Sequence, residues 1–357
     1  MKLIDGNELD VVDPGKYNNN ESGPDFFISK IKTGQITWVG SIEIHVNSSD
    51  WFRHNHHLDV AYNNVILHVV YNYDKPVKVN GRELPVLELK TYIDKTHFEK
   101  FKIIDNDKKT FDIPCKRIIK KYEDTKLQEM IELALNNRIK RKVSEIEGLN
   151  IKKSEDVFYF LIARAFGTKV NQQPFEQICH NYPRKYLSTL STENKINQFI
   201  KKIISTEHLF YWKTKGLYHS SSPEKRMLEF LNFISLIDFS YPFWDLPTSM
   251  ILEYFKSKFA QARLKGKIIS TNLLINAISI FLYWQGTKLN DTNILSKSIR
   301  ILELIPSENN VFIRKWMKLQ INPQNAKESQ ALLEIYQQFC TRKKCLECSI
   351  GINFLNS

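Results

Sequence analysis

The hydrophobic period changes once along this 357-residue chain, near residue 115, and that change limits the fold more than any single motif. Before it, apolar residues alternate with polar ones, as in FFISKIKTG (26–34) and ITWVGSIEIHV (36–46), the period of a half-buried strand. NVILHVVY (64–71) is almost continuously apolar, which fits a strand covered on both faces inside its sheet. In KVNGRELPVLEL, Asn80-Gly81 is a hairpin turn by residue type. Beyond residue 115 the spacing becomes helical. Leu127, Met130, Ile131, Ala134 and Leu135 fall on one stripe of TKLQEMIELALNNRIKRKVSEI. Further helices fit SEDVFYFLIARAFG, ENKINQFIKKIIS, PEKRMLEFLNFISLI, TNLLINAISIFLYW and KESQALLEIYQQFC. The expected fold class is α+β: a mixed-sheet unit over 1–115, then an all-α unit over 116–357.

Charge divides at the same place. Residues 1–114 carry 14 basic and 17 acidic side chains, and the remaining 243 carry 37 and 22. A basic helical unit joined to a slightly acidic one suits a phosphate-backbone partner such as nucleic acid, and it equally fits a solvated basic surface on a Lys-rich protein, because net charge identifies no ligand. Arg138, Lys140, Arg141 and Lys142 form the densest basic run, read as a solvated helix end. No apolar run is long enough to span a bilayer, and the first residues show no secretory signal. With five cysteines, an odd number, the expectation is a reducing, cytoplasmic chain and no membrane partner. Walker, dinucleotide and serine-elbow motifs are absent.

Five of the nine histidines lie between residues 23 and 71. Glu43 and His45 share one face of their strand, opposite Ile42, Ile44 and Val46. Ser48-Ser49 is placed to cap a short helix over DWFRHNHHLDVAY, on which His54 and His57 lie three apart. With His45 or His68, these residues can complete a zinc or manganese sphere. His68, within an apolar strand, and His56 and His57 also read as ordinary packing or surface residues.

GPDF (23–26), GSIEIHVNSSDW (40–51), His54, His56 and Asp59 resemble an uncharacterised bacterial family, domain of unknown function 2851. The likeness continues through AYNNVILHVVY, LPVLELK, IPC (113–115) and FCTRKKCLECSIG (339–351). The chain lacks a helix that similar proteins carry before the first strand. Around Trp212, Lys213, Pro223 and Arg226 it lacks the family's Arg-Pro-Asn core. With that first helix, the element order is similar to the restriction-endonuclease-like core of the PD-(D/E)XK nuclease superfamily. The resemblance implies a magnesium- or manganese-dependent phosphodiesterase. Its metal ligands would be Asp25 and Glu43, with His45 standing where the superfamily has lysine and orienting or activating the water. His54, His56 and Asp59 would be accessories. A noncatalytic nucleic-acid-binding or scaffold protein is the alternative, as is a histidine-rich metal protein.

Cys340, Cys345 and Cys348 have the spacing C-x4-C-x2-C, in which the last two can chelate one ion across a single turn, and Cys115 is the best fourth ligand. Some nucleases of the superfamily hold an iron–sulfur cluster with one distant and three C-terminal cysteines. The resemblance extends that reading here, with zinc or plain buried thiols as alternatives. Cys179 is assigned to packing.

Overall fold

The computed structural model describes residues 1–18, 22–110, 112–119, 124–190, 192–206, 210–215, 222–264 and 267–356. Its strands are β1 (Leu9–Asp13), β2 (Lys16–Tyr17), β3 (Phe26–Thr33), β4 (Ile36–Asn47), β5 (Val65–Asn72), β6 (Lys78–Val79), β7 (Arg82–Glu83) and β8 (Val86–Glu88). A six-stranded mixed sheet runs β1-β3-β4-β5-β8 with β2 also on β3, and β6 pairs β7 separately. The steps from β1 through β4 are antiparallel, whereas β4–β5 and β5–β8 are parallel. The nearly unbroken apolar run of β5 is thus interior, with Leu67 and Val70 buried. Asn80 and Gly81 both have positive φ, the requirement of the tight hairpin joining β6 to β7. The chain forms two compact units, Met1–Asp105 with Leu355–Ser357, and Asn106–Phe354.

In the first unit, Leu3, Leu9, Ile31, Ile42, Leu67 and Leu87 form one apolar cluster, and Trp51, Tyr62, Val65, Val77 and Leu84 form another. Parallel pairing of Glu43 with His68 and of His45 with Val70 puts these side chains on a common face. That face is buried here, as is Ile42 on the other. Ile44 and Val46 are exposed while Glu43 and His45 are buried, the reverse of ordinary patterning. Two local features set this geometry. The β3–β4 register shifts between Phe26 and Ser29, where Ile28 has φ 58°, a left-handed value that costs a β-branched residue about 1–2 kcal/mol. At Gly40, a Cβ would lie 2.6 Å from the carbonyl oxygen of Asn64 and 2.5 Å from the Ile66 side chain, so the close β4–β5 approach needs glycine.

The second unit is helical. Of its helices, Asp124–Glu147, Ser154–Gly167, Glu193–Ser205 and Pro223–Ser235 follow the periodic segments. Side chains cap several N-termini, including Asp291, Asn310 and Asn325. The basic run on Asp124–Glu147 departs from the expected solvated end. Arg138 is buried against Glu334 at 3.3 Å, and Arg141 bonds the same carboxylate at 2.7 Å. Lys142 donates to Asn276, and only Lys140 of the four is exposed. Desolvation explains the pairing, because an unpaired buried cation is costly. Arg138, Arg141 and Lys142 line a cavity of about 630 Å³ together with Arg164, Lys169, Arg342 and the acidic Glu145 and Glu308. Ile268–Leu289 is also a correction: it is a 22-residue helical run long and apolar enough to cross a membrane, and 67% of its most apolar window is buried inside the protein.

Gly40→Ala is expected to destabilise the protein by about 1–3 kcal/mol through forced separation of β4 and β5. Urea unfolding measures this directly, and an unchanged midpoint would contradict the close-approach argument.

Candidate metal centre

The site begins with a reciprocal backbone clamp. The Asp25 N–H donates to Glu43 Oε2 at 3.1 Å, and the Ile44 N–H donates to Asp25 Oδ2 at 2.8 Å. The two carboxylates on neighbouring strands are thereby held facing each other. Glu43 Oε1 lies 3.4 Å from His45 Nε2 and 3.3 Å from His56 Nε2. His45 Nε2 is 3.1 Å from His54 Nδ1. The ligand atoms of His45, His54 and His56 all lie within 4.8 Å of one another, a group that could hold a metal ion.

The segment after β4 arranges this convergence. Helix Asp50–Arg53 is short and is followed by a single-turn helix His56–Leu58. Asn55 between them has φ 61°, which suits asparagine, and this left-handed residue turns His54 and His56 to the same site. His57 instead tilts against Phe52 and is exposed. The i, i+3 pairing of His54 with His57 is therefore replaced by a turn pairing of His54 with His56. Ser48 and Ser49 do not cap the helix. Their hydroxyls donate to Asp74 at 2.9 and 2.6 Å and tie the segment to the end of β5. Asp59 caps the next turn through the Ala61 N–H rather than joining the cluster.

Aromatic rings wall the site. Tyr62 stacks on His56 with centroids 3.8 Å apart, and Trp51 meets His56, Tyr62 and His68 edge to face. His45 Nδ1 shares a 2.9 Å hydrogen bond with His68 Nε2. If His45 Nε2 offers its lone pair to an ion, Nδ1 carries the proton and donates to His68, which fixes both tautomers. His68 is fully buried, so this acceptor is shielded from water.

Electrostatics set the protonation states. Burial and the Asp25 carboxylate push Glu43 up to about 8. Burial, with His56 and His54 alongside, holds His45 down at about 4. Burial and then His45 lower His68 to about 3, and burial and then His54 lower His56. Tyr62 is raised to about 12 by burial and then by Glu43. Neutral imidazoles are what a metal requires, and a cation would return Glu43 to its ionised form. His56 Nε2 is buried without a hydrogen-bond partner, although Glu43 is near, as suits a metal-directed nitrogen. Three imidazoles and a carboxylate fit a divalent transition ion.

Of the sequence-identified residues, Asp25, Glu43, His45, His54 and His56 come together, with His45 among the candidate ligands. His68, read as either a ligand or a packed strand residue, is buried and hydrogen-bonded to His45, whereas sequence reasoning missed the support from Trp51, Tyr62 and Asp74. An asparagine between two histidines was the available signal for the turn.

Over residues 1–204 the chain matches the family described as "Protein of unknown function (DUF2851)", and it belongs to that family. The terminal cysteine segment lies outside the match. Neither a curated protein nor a solved structure matches the chain.

Two outcomes are expected. Glu43 holds its proton more tightly folded than unfolded, so its contribution is full below about 4.5 and is lost as pH rises through about 8. His45 has the opposite sign, full above about 6.5 and lost as pH falls toward 4, and His56 and His68 follow it. Chelator-treated protein should therefore be most stable near neutrality and weaken on the alkaline side, and added manganese or zinc should remove that alkaline loss. Calorimetry across pH reads both limbs, and an alkaline limb unaffected by metal would contradict the assignment. His68→Leu should weaken ion binding roughly 10–100-fold in calorimetric titration while the fold is retained, because His45 loses the acceptor that orients it.

Proposed function

We propose that this chain is a metal-dependent phosphodiesterase acting on nucleic acid, with its centre at Glu43, His45, His54 and His56. The observation that carries the reading is the convergence of three imidazoles, His45, His54 and His56, with Glu43 against His45 and His56 and beside the clamped Asp25 carboxylate. Glu43, His45, His54 and His56 would hold a divalent ion, which would lower the pKa of a water and offset charge on phosphoryl oxygens. Glu43, His45 and His56 are buried or half-buried and provide a rigid inner wall, whereas exposed His54 keeps the site open to a substrate. Asp25 is half-buried with Oδ2 fixed by the Ile44 amide, a position suited to accepting the proton of the attacking water. The phosphorus–oxygen bond to the leaving strand breaks as the water oxygen bonds to phosphorus.

The sheet order, with Pro24-Asp25 entering β3 and Glu43-Ile44-His45 on β4, supports the likeness to PD-(D/E)XK nucleases. The donor set modifies that likeness. Magnesium prefers oxygen ligands, so an imidazole-rich site favours manganese or zinc. Arg53, exposed and 2.9 Å from Asp50, is a cation on the short helix beside a site that lacks the superfamily lysine. The formal charge of +12 and the arginine-lined cavity of the helical unit support an anionic polymer as substrate.

Metal-loaded full-length protein is expected to cleave a single- or double-stranded DNA or RNA from a mixed panel with manganese or zinc. Chelator or Glu43→Gln should lower the rate at least about 100-fold, the usual scale for lost acid–base or metal chemistry. Metal binding with salt-sensitive nucleic-acid binding but no cleavage would leave the noncatalytic binding module in its place.

A further inference from the structure

The cavity of the helical unit has charges that its own side chains do not balance. Its three inner guanidiniums are neutralised in sequence. Arg138 and Arg141 share Glu334 at 3.3 and 2.7 Å. Arg141 and Arg164 share Glu145 at 2.8 and 2.7 Å, and Arg164 also meets Glu176 at 3.0 Å. Three arginines thus face three carboxylates. Lys142, Lys169 and Arg342 line the same cavity, and among the described residues none of them has a carboxylate within ion-pair distance. Glu308 is the remaining acidic lining residue, and it accepts a hydrogen bond from the Gln330 amide. Three cations against one carboxylate leave a surplus of two positive charges.

Lys142 is the most constrained of these cations. Its amine donates to Asn276 Oδ1, and Asn276 Nδ2 donates to Asn272 Oδ1 at 2.6 Å. Asn272 Nδ2 in turn donates to the Ala165 carbonyl at 2.6 Å. Because the relay ends on a backbone acceptor, both amides are oriented and the amine is held in place. Burial, followed by the guanidiniums of Arg138, Arg164 and Arg141, pushes that amine well below an ordinary lysine. A wall built for stability would carry an apolar side chain here and avoid the repulsion. An anion in the cavity relieves it.

Local backbone features converge on the same place. The π-turn Leu274–Ile278 carries Asn276, and the π-turn Tyr336–Cys340 carries Gln337 and Gln338, all three of which line the cavity. Such turns interrupt the regular helical ladder and recur at functional sites. Thr168, another lining residue, has φ 52°, a strained value for a β-branched side chain. Gln330 is 2% exposed, and its Oε1 is buried without a hydrogen-bond partner. An open acceptor beside surplus cations suits a ligand that brings its own hydroxyl or N–H. Leu161, Ile280, Phe312 and Leu333 add apolar surface. A volume of about 630 Å³ accommodates an organic molecule of mononucleotide size, well beyond a phosphate ion.

We propose that this cavity binds a phosphate monoester of a small organic molecule, with Lys142 as the inner cation and the exposed Lys169 and Arg342 as outer ones. A phosphate dianion matches the surplus of two charges, and the amides and apolar side chains receive the organic part. The site lies within the helical unit and does not rest on phosphodiesterase chemistry at the histidine centre. A mononucleotide and the phosphorylated end of a nucleic-acid strand both carry this group.

The test is calorimetric titration of chelator-treated full-length protein. The probes are inorganic phosphate, ribose 5-phosphate, the four nucleoside monophosphates with their nucleosides, and a short oligonucleotide with and without a 5′-phosphate. At least one monoester should bind roughly 10-fold or more tightly than inorganic phosphate, and its unphosphorylated counterpart should not bind. Lys142→Met should weaken that binding roughly 10–100-fold, the scale of a lost charge-assisted hydrogen bond. The exposed pair Lys169→Met and Arg342→Met, made together, should do the same, and it keeps the test decisive if Lys142→Met does not fold. Glu43→Gln should bind as the wild type does, which separates this site from the histidine centre. Tighter binding of the phosphorylated oligonucleotide assigns a strand end as the source, and tighter binding of a small ester assigns a free ligand. Absence of binding by every monoester at millimolar concentration overturns the proposal. So does equally tight binding of inorganic phosphate, or a folded cation variant that binds like the wild type.

Discussion

A buried carboxylate facing two of three clustered imidazoles is the interaction on which the first unit depends. Glu43 has about 5% of its surface exposed, and Asp25 is held against it by two backbone hydrogen bonds. Desolvation and like charge make that pairing unfavourable without a cation, and the same forces keep the imidazoles neutral. The polypeptide has accepted this cost in its sheet. β4 turns Glu43 and His45 inward and leaves Ile44 and Val46 to solvent, the opposite of what apolar burial would select. A sheet patterned for stability alone would not be arranged so. Polar residues buried at the expense of apolar ones mark a position held for chemistry.

The supporting structure is graded in the same direction. His68 orients His45 from the neighbouring parallel strand, Tyr62 and Trp51 fill the wall, and Asp74 anchors the serines at the mouth of the connecting segment. His68 sits on β5, Trp51 and Tyr62 sit on short helical turns, and Asp74 lies just past the end of β5, tied to Ser48 and Ser49. Such support suits ligands that must converge to within tenths of an ångström. The helical unit follows another logic, with Arg138 and Arg141 paired to Glu334 beside a cavity that both arginines line.

Much of the fold was legible because it rests on period. Alternation marked β3 and β4, the unbroken apolar run marked β5 as interior, and 3.6-residue spacing marked the long helices. The common face of Glu43 and His45 was equally legible, since a strand allows no other choice. That Glu43 and His45 would be buried was not, because Ile36, Trp38, Ile42, Ile44 and Val46 share the other face of β4 and patterning alone would bury them instead. The turn at Asn55 was hidden for a similar reason. A helical reading of DWFRHNHHL satisfies the local pattern, and only a left-handed residue brings His54 and His56 to one point. The buried state of Arg138 depends on Glu334, 196 residues away, which no local window contains. The parts that were not visible in the sequence are those fixed by tertiary pairing.

The most direct test is anomalous diffraction from crystals of the full-length protein grown with manganese or zinc, measured at the edge of the metal used. The account predicts one strong peak bonded to imidazole nitrogens of His45, His54 and His56 and to Glu43, at about 2.0–2.2 Å. A peak elsewhere in the unit, or none at saturating metal, would contradict it.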